Sequence, residues 1–213
     1  MKVVKLKTGN DALLDPKADL WNQAAAETVP LMATPLAMVQ ELSPFVAISQ
    51  GHGVTSSLEA RAVHNGEMLA VRLRWASAKN DTVMDLDTFV DGVGVMFPTV
   101  AGVSAVTMGA AGKPVNAWYW RADKAKPYEV LAQGFRFVER QKDNAGSDLA
   151  VAADYADGHW NVVFRRSLGA RNGLVRFAPG KSSGIAFAVW AGANKERSGR
   201  KAFSGDFMPL VFA

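Results

Sequence analysis

A chain of 213 residues, 49% of them apolar and with a formal net charge of +4, is long enough to bury a sizeable core in one large domain. It contains no cysteine, which excludes disulfides, thiolate-bound zinc, covalent c-type haem and cysteine-held iron–sulfur clusters within this chain. The basic residues are dispersed, the densest group being Lys195, Arg197, Arg200 and Lys201. That is not the basic stripe interleaved with stacking aromatics that nucleic-acid binding uses.

From the N-terminus, Met1 to Lys7 is basic but has no apolar h-region before Thr8-Gly9-Asn10-Asp11. No signal peptide is read there, and nowhere does the chain approach the roughly 18–20 continuous apolar residues of a membrane span. Ala18 to Glu27, around Trp21, predicts a short helix. Leu58, Ala60 and Ala62 then alternate with polar residues up to His64-Asn65-Gly66, and Leu69, Val71, Leu73 and Trp75 alternate after it. Asn-Gly between two alternating runs predicts a hairpin, because both turn residues tolerate positive φ.

Phe89 to Pro98 and Val115 to Trp120 read as strands, with glycines and Pro114 marking a loop between them. Pro127 to Gln141 has a weak helical pattern weakened by Gly134. Val151, Ala153 and Tyr155 lead through Asp157-Gly158 to Trp160, Val162 and Phe164, a second hairpin on the same logic. Ile185 to Trp190 is apolar on both faces, which predicts a central strand, and Phe207 to Phe212 closes the series. No repeat or linker divides the chain. The architecture expected is mainly β: one domain over 1–213, an antiparallel β-sandwich with long loops and a few short helices.

Catalytic motifs are missing. There is no Gly-x-Ser-x-Gly elbow, P-loop or dinucleotide fingerprint, and Gly92-Val93-Gly94 lies inside a strand pattern. Asp85, Asp87 and Asp91 do not have the spacing of a calcium loop. The three histidines, His52, His64 and His159, have no partner at ligand spacing; His52, between two glycines, has the best access to a ligand. Met108 by type alone is core filler. Yet Gly109, Gly112 and Pro114 place it in a loop, from which a thioether can reach a metal. Lys201 by default is a solvated surface lysine. To ligate a metal it must lose its proton, which desolvation and the nearby Lys195, Arg197 and Arg200 would favour.

An ordered set of segments resembles a known family. It runs through Phe89-Val90-Asp91-Gly92-Val93-Gly94-Val95-Met96-Phe97-Pro98, Met108-Gly109, Pro114-Val115-Asn116-Ala117-Trp118-Tyr119-Trp120 and Gly158-His159-Trp160-Asn161-Val162. It ends in Ala188-Val189-Trp190-Ala191-Gly192 and Glu196-Arg197-Ser198-Gly199-Arg200-Lys201. Together these resemble the haem-binding γ subunits of the ethylbenzene dehydrogenase group of molybdenum enzymes, nearest the ethylbenzene and steroid C25 dehydrogenase branch.

The resemblance implies a β-sandwich holding one non-covalent haem b (iron protoporphyrin IX) between its sheets, with a methionine and a lysine on the iron. Met108 and Lys201 are the matching positions; Met96 and Lys195 compete for the two roles. Arg197 and Arg200 would pair with haem propionates, and Trp118 is expected among the cofactor-binding residues. The implied function is a non-catalytic redox subunit. It would carry electrons from an iron–sulfur β subunit to an acceptor such as cytochrome c, while a molybdopterin-containing α subunit hydroxylates a hydrocarbon or sterol C–H bond. The implied location is the periplasm, reached by export with a signal-bearing α subunit. The competing expectation is a carbohydrate-binding module, with Trp118, Tyr119, Trp120, Trp160 and Trp190 as a sugar-stacking platform.

Overall fold

The computed structural model describes residues 1–39, 43–141, 148–170 and 173–213. The first predicted hairpin is present as β4 (Ser57–His64) and β5 (Met68–Ala76). Asn65 takes the Met68 carbonyl and Gly66 sits at φ 99°, so the Asn-Gly turn does what its residues allow. The second is β10 (Ala150–Ala156) and β11 (His159–Ser167), turned by Asp157 and Gly158 at φ 51° and 71°. β11 lies antiparallel to β5, which joins the two hairpins. On the other edge of β4, β2 (Glu27–Pro30) pairs antiparallel and β1 (Lys2–Lys5) pairs parallel; β1 in turn pairs parallel with β14 (Met208–Phe212). These strands form the first sheet.

The second sheet is built from β6 (Gly92–Pro98), β7 (Val115–Arg121), β8 (Tyr128–Ala132) and β9 (Val138–Arg140), each antiparallel to the next. One strand belongs to both. β12 (Ser182–Trp190) pairs through Ser182–Ile185 with β14, then through Ala186–Trp190 with β6. Its far edge also takes β13 (Ala202–Phe203), which pairs with β3 (Met32–Ala33). At the crossing, a Cβ on Gly184 would lie 2.9 Å from the Phe207 Cβ, so the close approach there needs glycine. The predicted central strand is therefore central in a stronger sense: it is the hinge of the sandwich.

Alternation decides what lies between the sheets. Leu58, Ala60, Leu73, Trp75, Val162 and Phe164 from the first sheet meet Val93, Val95, Phe97, Trp118, Trp120 and Ile185 from the second, all nearly or fully buried. The filling is dense with rings: Phe97 and Trp118 lie 4.6 Å apart, and Trp120 and Trp160 lie 5.1 Å apart. The inter-sheet space expected to hold a haem is thus occupied by side chains. A smaller cluster on the outer face of the first sheet seats Leu13 and Trp21 against Val63, Ala70 and Val163.

Two helical expectations change. Pro127 to Gln141 is the β8–β9 hairpin rather than a helix, because Gly134 at φ 92° turns the chain between two short strands. Ala18 to Glu27 holds only a 3-10 turn, Asp19–Gln23, before β2 begins at Glu27. The helix α1 (Pro44–Ala47) is a single turn. Among the described residues no helix is long and apolar enough to cross a membrane.

Candidate functional site

The outer face of the second sheet is as apolar as its inner face. Gly94 and Met96 on β6, Ala117 and Tyr119 on β7, Val130 on β8, and Ala186, Ala188 and Trp190 on β12 all face away from the core. Left open, such a face would be a large exposed apolar patch. Segments 34–36 and 198–205, together with Ser43, Val46, Ala105, Met108, Phe135 and Val138, roof it instead. Between roof and sheet lies a cavity of about 530 Å³, within the roughly 300–1,000 Å³ range of small-molecule and cofactor sites. Small floor residues make room for it.

Met108 and Lys201 both line this cavity. Met108 is held in a loop whose backbone is unusual: Met108 sits at φ 55° and Gly109 at φ 85°. A Cβ on Gly109 would fall 2.7 Å from the Ala132 carbonyl oxygen and 2.8 Å from that of Lys113, so only glycine fits. The Met108 carbonyl accepts from the Gly134 amide at 2.9 Å, which anchors the loop on the β8–β9 turn.

Lys201 directly precedes β13. Its carbonyl accepts two bonds from Thr34, from the backbone amide and from Oγ1, both at 3.1 Å. Its side chain is half-buried, with Nζ 5.0 Å from the centre of the Trp190 ring. Among the described residues no carboxylate pairs with it, and burial pushes its ammonium down to about 8. Trp190 packs edge-on against Tyr119 at 4.8 Å and donates from Nε1 to the Ser198 carbonyl at 3.0 Å. Burial raises the Tyr119 phenol to about 12, so it remains a neutral wall.

The remaining expected residues divide. Met96 joins Met108 in the cavity wall, so two thioethers face it, while Lys195 is exposed and ion-paired with Asp87. Trp118 borders the floor, but its ring is corrected to the core. It is fully buried against Phe97, Phe164 and Phe177, with Nε1 donating to Glu129 at 3.2 Å. Strand parity makes Tyr119, not Trp118, the aromatic side chain of β7 on the cavity side.

Arg197 and Arg200 stay outside the cavity lining. Arg197 is exposed and stacks on Phe89 at 4.3 Å, and Arg200 donates to the Gln50 carbonyl at 3.2 Å. His52, the best-placed histidine, bonds the Thr34 carbonyl at 2.7 Å and so buttresses the strand end that holds Lys201. The expected sugar platform is not a surface either, since Trp118, Trp120 and Trp160 are 0%, 4% and 5% exposed.

Two acids that sequence reasoning passed over hold the surrounding loops. Glu196, buried, accepts from the amides of Gly53 at 2.7 Å, Val54 at 3.2 Å and Ala191 at 3.0 Å. Asp206 accepts from the Ala105 amide at 2.9 Å and the Ser104 hydroxyl at 3.1 Å, joining the Met108 loop to the segment after Lys201. Burial alone would raise the Asp206 carboxyl. The donors at Ala105, Phe207 and Ser104 outweigh it and hold the group below its usual range.

Comparison with known proteins supplies the family. A protein of Haloferax mediterranei described as a respiratory nitrate reductase haem subunit is 31% identical over 89% of this chain and 65% of its own length. The chain thus spans just under two thirds of that relative. The chlorate reductase subunit gamma of Ideonella dechloratans is 33% identical over 96% of this chain and 81% of its own. Among solved structures, a protein described as carbohydrate-binding from Bacteroides uniformis superposes with a TM-score of 0.58. The match covers 100% of this chain and 98% of that one at 10% identity, a likeness of fold alone. The model of the ethylbenzene dehydrogenase family matches residues 18–152 and 145–202, and this chain belongs to that family.

Proposed function

We propose that this chain is a non-catalytic electron-transfer subunit that holds one b-type haem, without covalent attachment, in the cavity on the outer face of the second sheet. In this reading it receives electrons from an iron–sulfur β subunit, coupled to a molybdopterin-bearing α subunit that hydroxylates a hydrocarbon or sterol. It passes them to a soluble acceptor such as cytochrome c. Its place is the periplasm, reached together with a signal-bearing α subunit. The observation that carries the reading is that Met108 and Lys201, from loops far apart in sequence, line one apolar cavity. The relatives named as a haem subunit and as a gamma subunit support it.

The residues present suit an iron porphyrin. Gly94, Ala117, Ala186 and Ala188 leave a floor without bulky side chains, as a flat apolar ring requires. Among the described residues the Lys201 amine has no acid to stabilise its proton, so a nitrogen lone pair is available at modest cost. Met108 offers a soft thioether from a fixed loop. When bound, haem supplies one-electron storage at its iron, and a methionine ligand favours a raised potential. The chain itself does the positioning. Thr34 fixes the Lys201 backbone, Gly109 lets the Met108 loop sit against β8, and Leu36, Val46 and Phe203 give the cavity an apolar roof. With two protein donors for the metal, the chain leaves substrate chemistry to its partners.

A pyridine haemochrome assay on the purified chain tests this. A b-type spectrum at one haem per chain supports the reading; a colourless chain that takes up no added haem rejects it.

A further inference from the structure

On the opposite side of the sandwich, the outer face of the first sheet carries an arrangement that the electron-transfer reading does not use. β4 and β5 pair so that Arg61 stands directly opposite Arg72, and Glu59 directly opposite Arg74. β11 continues the rows, with Asn161 opposite Arg74 and Val163 opposite Arg72. Like charges directly opposite one another destabilise a sheet, yet three guanidinium groups gather here beside one carboxylate.

The hydrogen bonds leave the cluster incomplete. Arg61 is fixed from two sides: Nε donates to Glu59 at 3.0 Å and Nη1 to the carbonyls of Trp21 and Ala24 at 2.8 and 3.1 Å. Glu59 is thereby taken up by Arg61. Among the described residues, the Arg72 side chain has a single hydrogen-bond partner, the Asn161 side-chain oxygen, 2.7 Å from Nη2. Its Nε is buried and unpartnered among the described residues, an arrangement that is ordinarily costly. Among the described residues, Arg74 has no acid partner. The nearest other carboxylate on β10, Asp154, is taken by Lys17 at 2.9 Å. Burial, with Arg61 and Arg74 adding to it, lowers the Arg72 guanidinium from its ordinary value; the three charges act on one another.

We propose that Arg61, Arg72 and Arg74 form a binding site for a small dianionic oxyanion of the phosphate or sulfate type. Three guanidinium groups less one carboxylate leave two uncompensated positive charges, which a dianion neutralises. The unpartnered Arg72 Nε supplies one donor of the planar fork that binds such oxygens in pairs. Arg61, clamped between Glu59 and the 21–24 segment, gives the site a fixed wall, and Arg74 closes it from the neighbouring row. A site of this kind is pre-organised, because the charges are already held together at the expense of the sheet.

Calorimetric titration of the purified chain with inorganic phosphate, sulfate and chloride at matched ionic strength tests the proposal. Wild type is compared with Arg72→Gln, Arg72→Lys and Arg74→Gln. Saturable one-to-one binding of phosphate or sulfate but not chloride is expected. It should weaken about tenfold or more in Arg72→Gln, and partly in Arg72→Lys, which keeps charge but loses the fork. Tighter binding of phosphate than sulfate identifies a phosphoryl ligand; equal binding identifies a general oxyanion site. If Arg72→Gln does not fold, Arg74→Gln carries the same expectation at a side chain that makes no hydrogen bond among the described residues. Phosphate that binds no better than chloride, or equally well to wild type and the glutamine variants, overturns the proposal. Haem uptake is unchanged in all variants, so this site and the cavity are tested independently.

Discussion

The carboxylate of Asp206 accepts the backbone N–H of Ala105 at 2.9 Å, and so joins the segment after Lys201 to the loop that presents Met108. Ala105 is buried, so its amide has no water to turn to. Asp206→Ala is expected to cost about 1 kcal/mol and to loosen the roof of the cavity. Asp206 is held below the usual carboxylate range, so its contribution is present above the unfolded value of about 4 and lost as pH falls through the folded one. Asp206→Asn should therefore flatten part of the acid limb of a stability-against-pH curve. Urea midpoints between pH 3 and 6 check this; parallel curves for variant and wild type would remove the role.

Lys201 presents the opposite trade. Its ammonium is pushed down to about 8 by burial, below its unfolded value of about 10.4. A depressed lysine contributes stability that is present above the unfolded value and is lost as pH falls through the folded one. The haem-free chain should thus weaken from about pH 10 to pH 8 and then level off. Lys201→Met should stabilise it at neutral pH by about 1–2 kcal/mol, after allowance for the side chain's partial contact with water. Thermal melts of haem-free wild type and variant across pH 6–10 measure it. Destabilisation at neutral pH would contradict an uncompensated buried charge.

Gly109→Ala is expected to be severe for its size. The added methyl meets two backbone carbonyls at 2.7 and 2.8 Å at a residue already at φ 85°. A cost of about 2–4 kcal/mol follows from overpacking with backbone strain, together with loss of haem. Gly112→Ala, with nothing within 4 Å but a similar positive φ, should cost less. Equal loss in both would assign the whole effect to backbone conformation.

Beneath the cavity floor, Arg166 and Glu129 are a fully buried ion pair at 2.9 Å, with Arg166 also donating to Asn116 at 3.0 Å. Arg166→Met removes one charged partner of the buried Glu129 carboxylate and should cost about 3–5 kcal/mol. The double change Arg166→Met, Glu129→Leu should recover much of it. Guanidinium melts of the three variants decide; additive losses would mean the pair acts as two separate contacts.

Much of the fold was legible because its turns use residues with few alternatives. Asn65-Gly66 and Asp157-Gly158 specified hairpins, and alternation in Leu69–Trp75 specified which side chains share a face. The sheet that faces the cavity was harder to read. Gly94, Met96, Ala117 and Tyr119 are as apolar as their inward neighbours, so periodicity shows two covered faces without saying what covers each. A haem between the sheets, with Trp118 among the cofactor-binding residues, is what the family resemblance implies rather than what periodicity shows. What marks the outer face in the sequence is its small residues, Gly94, Ala117, Ala186 and Ala188, which leave room for the cavity. Pro127–Gln141 misled because a five-residue strand before Gly134 and a three-residue strand after it are too short to show their period. The roles of Asp206 and Glu196 depend on contacts across the chain, which no local pattern records.

The most direct test of the account is the absorption spectrum and midpoint potential of the haem-loaded chain, compared with Met108→Ala, Lys201→Ala, Met96→Ala and Lys195→Ala. The account predicts a low-spin spectrum that is disrupted in Met108→Ala and Lys201→Ala, with a lowered potential or an open coordination position in the first. It predicts little change in Lys195→Ala. A spectrum and potential unchanged by Met108→Ala and Lys201→Ala, or disrupted instead by Lys195→Ala, would contradict it.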